Sequence, residues 1–310
     1  MKKSDVMIVI ALGVLLLLPF ASAGFFDWLT GKVGSNPTDV NVPLGNTAPL
    51  IVNVFNGTGK DVTVTADPNE ESFTDVTVIF QAFDHDKSSD LDSATALAWV
   101  TKAGEETRNV SSACTAGAEI GGKYKNYTCT IRMQYWDAPG AWTLTTVIKD
   151  SSGAPATNAT QGFLYSTLLS FKMAPNSVNW SVLLPTNTNQ KAINDPTVLN
   201  NTGNAIPFVY LNATNLTGES DLAYAIAPED FKVSGTLDDE CIRTALTTGT
   251  FAKIQNVTAV DITLGRGNLS IGGVAQSNVY YCLTYVNETL IKQNYTTVAN
   301  GPWKLRISES

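Results

Sequence analysis

Histidine and cysteine are both scarce in this 310-residue sequence, and the shortage excludes several classes of site. His85 is the only histidine, and the four cysteines show no C-x-x-C spacing, so the usual ligand sets for zinc are missing. A Ser-His-Asp site has no nucleophile motif such as G-x-S-x-G. G-x-G-x-x-G and P-loop phosphate motifs are absent as well. The sequence therefore predicts a protein that is not an enzyme. The alternative is a hydrolase whose two carboxylates meet only in the fold.

Charged residues are also few. They make up 15% of the chain, against about 25% in average domains, and the formal net charge is −8. An acidic surface argues against nucleic acid and anionic lipid as partners. The hydrophobic content of 44% is too high for wholesale disorder. Threonine and asparagine supply much of the polarity, which favours a β-rich protein with a neutral polar exterior.

Only one apolar run is long enough to matter for targeting, and it lies at the N-terminus. Lys2 and Lys3 precede the apolar run from Val6 to Phe20, and the small residues Ala21-Ser22-Ala23 follow it. This order predicts a signal peptide over residues 1–23. The alternative is an uncleaved anchor at the short limit for a spanning helix. Membrane contact is expected only under that alternative, and either arrangement predicts an extracellular or cell-surface location.

The four cysteines are predicted to form two disulfides. Export favours disulfides over free thiols, and four cysteines allow three pairings. Proximity in the sequence suggests Cys114 with Cys129 and Cys241 with Cys282, one bridge in each predicted domain.

N-glycosylation sequons are the strongest positive feature. Random placement of the chain's Asn, Ser and Thr residues predicts roughly five N-x-[ST] tripeptides, and the sequence has twelve. Glycans require a surface asparagine in an exported chain. The predicted acceptors are Asn56, Asn109, Asn126, Asn158, Asn179, Asn200, Asn212, Asn215, Asn256, Asn268, Asn287 and Asn294.

Strand signals with frequent turns run through the rest of the chain, and the candidate strands include residues 178–184 and 257–264. In the segment Thr128–Tyr135, Cys129, Ile131, Met133 and Tyr135 alternate with polar residues, which is typical of a half-buried antiparallel strand. Many short strands without an amphipathic helix predict an all-β protein of two antiparallel Ig-like β-sandwich domains in tandem. The expected organisation is a signal peptide over residues 1–23, a linker over 24–47, one sandwich over 48–173 and a second over 174–310.

Several segments resemble a known group of proteins. The segment Cys129–Trp142 (C-x-I-x-M-x-Y-W-D-x-P-G-x-W), followed by Lys149-Asp150-x-x-Gly153, resembles the late strands of Ig-like or PKD-like domains in exported archaeal surface proteins. Asn200-x-x-Gly203-Asn204 and Tyr280-Tyr281-Cys282-Leu283 are similar to the β-sandwich modules that accompany them. The resemblance implies a β-sandwich fold and a cell-surface location, and it implies no catalytic residue.

One dense acidic segment is a candidate metal site. Asp84, Asp86, Asp90 and Asp92 lie within ten residues, and a loop at the end of a sandwich could direct their oxygens at calcium. The segment is not an EF-hand, because position six is Ser89 and position twelve is Thr95. The alternative is a solvated turn in which Asp side chains accept local backbone hydrogen bonds. Calcium is the only cofactor that the sequence suggests.

Together these features predict a structural or adhesive glycoprotein of the cell envelope, with other envelope proteins or extracellular glycans as partners. One alternative is an extracellular glycan- or solute-binding module. Another is a homo-oligomeric subunit of a surface filament or layer, assembled through edge strands.

Overall fold

The chain folds as an all-β protein. The computed structural model describes residues 39–56, 65–238, 240–267 and 275–309. Two units divide the chain, Met1–Gly45 and Asn46–Ser310. In the first unit, the described residues form no strand. The predicted signal peptide and residues 24–38 of the predicted linker lie outside the described residues.

Nine strands form the described part of the N-terminal half of the second unit. They are β1 (Leu50–Asn56), β2 (Thr65–Ala66), β3 (Phe73–Phe83), β4 (Leu91–Thr101), β5 (Arg108–Asn109), β6 (Thr115–Ile120), β7 (Tyr124–Gln134), β8 (Gly140–Asp150) and β9 (Pro155–Tyr165). A four-stranded sheet has the order β1-β3-β7-β6, and a five-stranded sheet has the order β2-β9-β8-β4-β5. All pairings are antiparallel except that of β2 with β9.

In the C-terminal half, the residues that the structure describes form twelve strands. They are β10 (Phe171–Ala174), β11 (Thr188–Lys191), β12 (Thr197–Asn201), β13 (Phe208–Asn212), β14 (Leu216–Gly218), β15 (Ala225–Ile226), β16 (Phe231–Ser234), β17 (Thr244–Ala245), β18 (Phe251–Lys253), β19 (Gln276–Tyr285), β20 (Tyr295–Thr296) and β21 (Lys304–Ser308). The largest sheet has the order β10-β12-β19-β16-β17, and β11 also pairs with β19. Two three-stranded sheets have the orders β18-β13-β21 and β15-β14-β20. No α-helix occurs in the described ranges, which contain 3-10 turns at Ser88–Asp90 and Pro228–Asp230.

Each half has its own hydrophobic cluster. In the N-terminal half, both sheets contribute to one cluster, with Phe80 and Ile131 from the four-stranded sheet and Trp142 and Leu144 from the five-stranded sheet. In the C-terminal half, a separate cluster is formed around Phe231, Leu199 and Tyr281. Fully burying one large apolar side chain stabilises a fold by about 1.5–3 kcal/mol, so these clusters account for much of the stability of each half.

The alternation predicted for the segment around Cys129 is present in β7. Tyr127, Cys129, Ile131 and Met133 are buried while the residues between them are exposed or partly exposed. The predicted inward position of Tyr135 is wrong, because β7 ends at Gln134 and Tyr135 is half-exposed in the turn that follows.

Both predicted disulfides are present. Cys114 pairs with Cys129 across a sequence separation of 15, which fastens the start of β6 to β7. Cys241 pairs with Cys282 across a separation of 41, which fastens the loop after β16 to β19. No free cysteine remains.

A buried ion pair holds the turn between β7 and β8. Asp137 is 1% exposed and accepts hydrogen bonds from Nε and Nη2 of Arg108 and, at 2.7 Å, from the backbone N–H of Gln134. Burial alone would lower the pKa of Arg108, but the hydrogen bonds and the charge of Asp137 raise it above its usual value. The charge-assisted bonds replace the hydration that both groups lose.

The two halves are joined through the buried turn that follows β12. Asn204 accepts a hydrogen bond from the N–H of Leu168 and donates one to the carbonyl of Ser166. A Cβ at Gly203 would lie 2.1 Å from the carbonyl oxygen of Leu168, so the close approach at this joint requires glycine. The predicted domain boundary between residues 173 and 174 falls inside β10, which pairs with β12.

Two segments that the sequence suggested as strands are irregular. In residues 178–184, the backbone N–H of Asn179 donates to the side-chain oxygen of Asn194 rather than to a neighbouring strand. In residues 257–264, the side-chain oxygen of Asn256 accepts the N–H groups of Thr258 and Val260. These side-chain bonds replace ladder bonds and turn the chain.

Candidate cation site

The acidic segment forms the connection from β3 to β4. The chain leaves β3 at Phe83, and the N–H of Asp84 still donates to the carbonyl of Lys123 at 2.9 Å. The N–H of Ser88 donates to the carbonyl of Gly122, and a 3-10 turn follows. Gly122 has φ of 75°, a conformation that glycine adopts without strain. The hairpin between β6 and β7 therefore holds this connection at two points.

Three carboxylates meet in this connection. Asp84, Asp86 and Asp90 each place one carboxylate oxygen within 4.8 Å of the others. Asp84 is fully buried, Asp86 is exposed and Asp90 is partly buried. Among the described residues, no Lys or Arg forms an ion pair with these three groups. Like charges at this separation repel, so the cluster is destabilised unless a cation joins it.

Two buried oxygen atoms in the same connection have no hydrogen-bond partner. The Oδ1 atom of Asp84 accepts the N–H of Asp86 at 2.8 Å, but its Oδ2 atom has no donor, and neither does the Oγ atom of Ser88. Both residues are at most 1% exposed. A buried polar atom without a partner costs about 1–3 kcal/mol.

Two further segments reach this cluster. The backbone N–H of Thr47 donates to Oδ2 of Asp86 at 2.9 Å. From the turn after β8, Ser151 donates its N–H to the carbonyl of Asp90 at 2.8 Å and its hydroxyl to the carboxylate of Asp90. The cluster is therefore a meeting point of three segments that are distant in the sequence.

The turn after β8 also binds the start of the second unit. Asp150 accepts a hydrogen bond from the side chain of Asn46 at 2.8 Å, and Asn46 donates to Ser152 as well. The hydrogen bond from Asn46 is the main reason that the pKa of Asp150 lies below its usual value; burial opposes it, and bonds from Ser152 and Ala154 add to it.

Two other residues of the acidic segment, one of them the candidate ligand Asp92, lie outside the group of three. The carboxylate of Asp92, in β4, accepts the N–H of Ala94 at 3.0 Å. The ring of His85 packs edge-on against Phe83 with a centroid distance of 4.7 Å. The geometry thus brings together three of the four carboxylates that the sequence singled out.

A pair of acidic side chains, Glu240 and Asp195, lies near the Cys241–Cys282 disulfide. Glu240 is fully buried, and Nζ of Lys191 lies 2.9 Å from its Oε1 atom. Neither oxygen of Glu240 has a partner with hydrogen-bond geometry among the described residues.

Burial, together with the negative charge of Glu240, raises the pKa of Asp195 to about 6, although the N–H of Tyr281 donates to Asp195 and opposes the shift. No local sequence pattern indicates this pair, since the two carboxylates are 45 residues apart.

We expect D195N to be more stable than the wild type at pH 7.5, by about 2 kcal/mol. The pKa of Asp195 rises from 3.8 in the unfolded chain to about 6 in the fold. The folded state therefore binds the proton more tightly, and stability falls as the pH rises from about 4 to above 6. Asn keeps an acceptor for Tyr281 and removes that dependence. Urea unfolding of both proteins at pH 4.5, 6.0 and 7.5 measures this pH dependence. If D195N and the wild type show the same dependence, the raised pKa of Asp195 is contradicted.

The predicted glycan acceptors can be compared with the other asparagines. The side chains of Asn56 and Asn268 lie outside the described part of the chain. Of the other ten acceptors, none is buried. The exposed ones are Asn109, Asn179, Asn287 and Asn294, and the partly exposed ones are Asn126, Asn158, Asn200, Asn212, Asn215 and Asn256. Where the structure describes burial, the buried asparagines are Asn201 and Asn204, and neither lies in an acceptor position of a sequon.

A pocket of about 310 Å³ lies beside the start of β19. Its lining residues are Gly235, Ile262, Gln276, Ser277 and Asn278. The hydroxyl of Ser277 donates to the carbonyl of Thr263. These lining residues carry no carboxylate, imidazole or amine, so they offer no acid–base pair.

No known protein family matches this chain, and no curated protein matches it as a relative. Across the described ranges, none of the helices has the length and apolar composition that crossing a membrane requires.

Proposed function

We propose that this chain is an exported glycoprotein that acts as a structural or adhesive component of a cell surface, built from two Ig-like β-sandwiches. Its location is extracellular, and its partners are other envelope proteins or extracellular glycans. The observation that carries the proposal is the contrast between the ten unburied sequon acceptors and the two buried asparagines outside them.

The architecture supports this proposal in two ways. Each half has sheets packed around its own core, as tandem sandwich modules do. Each half also has one disulfide, and disulfides persist in oxidising compartments outside the cytosol. A small domain that is cross-linked and shielded by sugars resists unfolding and proteolysis, which a surface component requires.

The positions of the acceptors also suggest which surfaces carry sugar. Asn126 lies in β7, at the centre of the four-stranded sheet, and accepts a hydrogen bond from Gln81 of β3 on the outward face. A glycan there would cover that face. Asn109 lies in β5, at the edge of the five-stranded sheet. Asn158 lies in β9 of the same sheet, next to the central strand β8, so the five-stranded sheet also has an acceptor away from its edge.

Labelling of intact cells tests the location. We expect a membrane-impermeant biotin reagent to modify the protein on intact cells, and electron microscopy of labelled envelopes to show it at the outer surface. Modification only after cell lysis would overturn the proposal.

One acceptor has an aromatic neighbour. In the β4–β5 pair, Trp99 lies directly opposite Asn109, so both side chains are on the same face of the sheet. Trp99 is half-buried and Asn109 is exposed. The first sugar on Asn109 can therefore pack on the indole ring.

We expect W99A to destabilise the glycosylated protein more than the unglycosylated chain, by on the order of 1 kcal/mol, the size of one aromatic packing contact. The measurement compares melting of both variants from a glycosylating host and from an oxidising host that does not glycosylate. L97A is the control, because Leu97 lies on the same face two residues away. Equal losses for W99A in both forms would show that the sugar does not contact the ring.

A further inference from the structure

We propose that Asp84, Asp86 and Asp90 bind one calcium ion, which fastens the start of the second unit to the loops at this end of the N-terminal half. This goes beyond the proposed function and does not depend on it. Two observations carry it independently: the three converging carboxylates and the buried, unpartnered Oδ2 atom of Asp84.

The spacing of the oxygens fits calcium. Calcium–oxygen distances are about 2.3–2.6 Å, so oxygens around one ion lie no more than about 5 Å apart, and the three carboxylate oxygens lie within 4.8 Å of one another. Calcium takes about six to eight oxygen ligands. The unpartnered hydroxyl of Ser88 is in the same connection, and water would complete the shell from the exposed side, where Asp86 lies.

The chemistry of the ligand set favours calcium over other metals. All three ligands are hard carboxylate oxygens, which suit calcium and magnesium rather than zinc or copper. The one nearby nitrogen donor, His85, packs its ring against Phe83. Magnesium requires near-ideal octahedral geometry and retains water, whereas calcium accepts an irregular cluster on a loop.

The contacts around the cluster define what the ion would do. Asp86 accepts the N–H of Thr47, and Asp90 accepts the hydroxyl of Ser151. A cation that neutralises the cluster holds both acceptors in place. It thereby stabilises the attachment of residues 46–47, which Asn46 reinforces through Asp150. We therefore infer that bound calcium stabilises the hydrogen bonds that attach residues 46–47, at the start of the second unit, to this end of the N-terminal half.

The test uses the full secreted chain with calcium chloride as the ligand. Titration calorimetry should give a Kd of about 10⁻⁴–10⁻³ M, as for extracellular calcium modules. With a Kd of 10⁻⁴ M, 10 mM calcium raises the ratio of folded to unfolded protein about 100-fold over protein in EGTA. Hydrogen exchange at the Thr47 amide should slow in calcium. No binding heat and equal melting midpoints in calcium and EGTA would overturn the proposal, and so would an equal effect of magnesium.

Two substitutions separate the site from its surroundings. D84N keeps the acceptor for the Asp86 N–H and removes a buried charge, so it should fold and lose at least a tenfold factor in calcium affinity. D92N is the matched control, because Asp92 is two residues from Asp90 and lies outside the cluster, and it should bind calcium as the wild type does. Equal losses in both variants would overturn the assignment of ligands.

Discussion

We expect D137A to lower the free energy of unfolding by about 3–5 kcal/mol, the cost of breaking a buried ion pair from one side. Asp137 is 1% exposed, and the side chain of its partner Arg108 is 14% exposed. Without Asp137, the guanidinium loses three hydrogen bonds and keeps only its contact with Glu106. The N–H of Gln134 also loses its acceptor, so the turn between β7 and β8 should open.

D75A is the control for this prediction. Asp75 also pairs with an arginine, Arg132, but the side chains are 38% and 54% exposed. An exposed pair contributes less than about 1 kcal/mol. Urea unfolding of wild type, D137A and D75A, followed by circular dichroism at pH 7, measures the difference. If the losses in free energy of unfolding for D137A and D75A differ by less than about 1 kcal/mol, the buried pair does not stabilise the fold more than the exposed pair does, and the prediction is contradicted.

We expect removal of the Cys241–Cys282 disulfide to cost about 4 kcal/mol, and removal of Cys114–Cys129 about 3 kcal/mol. The difference follows from the loop lengths, because a longer closed loop restricts the unfolded chain more, and the sequence separations are 41 and 15. The first substitution pair is C241A with C282A, and the second is C114A with C129A.

The measurement is urea unfolding under non-reducing conditions, after peptide mapping has verified that the remaining disulfide is intact in each variant. A smaller loss from the longer loop would contradict the loop-length account. Mapping of the wild type that found Cys114 joined to Cys241 would contradict both pairings at once.

The sequence predicted those parts of the fold that depend on short-range pattern. Alternation identified β7, because a side-chain period of two assigns Ile131 and Met133 to one face whatever the rest of the chain does. The disulfides were predictable because only three pairings exist and the shortest loops were correct.

Prediction failed where side chains replace backbone ladders. Residues 257–264 have the composition of a strand. However, the side-chain oxygen of Asn256 accepts hydrogen bonds from two backbone N–H groups, and the chain turns there. The composition of a segment rich in Thr and Val does not indicate whether a neighbouring side chain will compete for its backbone hydrogen bonds. The Arg108–Asp137 pair was missed for another reason. In the sequence, Asp137 has the position of an ordinary turn residue, and its partner Arg108 is 29 residues away.

The candidate site was predictable in part. The density of acidic residues pointed to Asp84, Asp86 and Asp90, which the connection between β3 and β4 brings together. Asp92 shares that density, but it already lies in β4, where its carboxylate accepts the N–H of Ala94. The hydrogen bonds from Thr47 to Asp86 and from Ser151 to Asp90 join residues that are far apart in the sequence. No local sequence pattern indicates such contacts.

Site-resolved glycopeptide mass spectrometry of the protein from its native cells tests the central claim most directly. We expect sugar on Asn109, Asn179, Asn287 and Asn294, whose side chains are exposed, and none on Asn201 or Asn204, which are buried. A bare polypeptide with unmodified asparagine at all four exposed positions would contradict the account of an exported, sugar-covered surface protein.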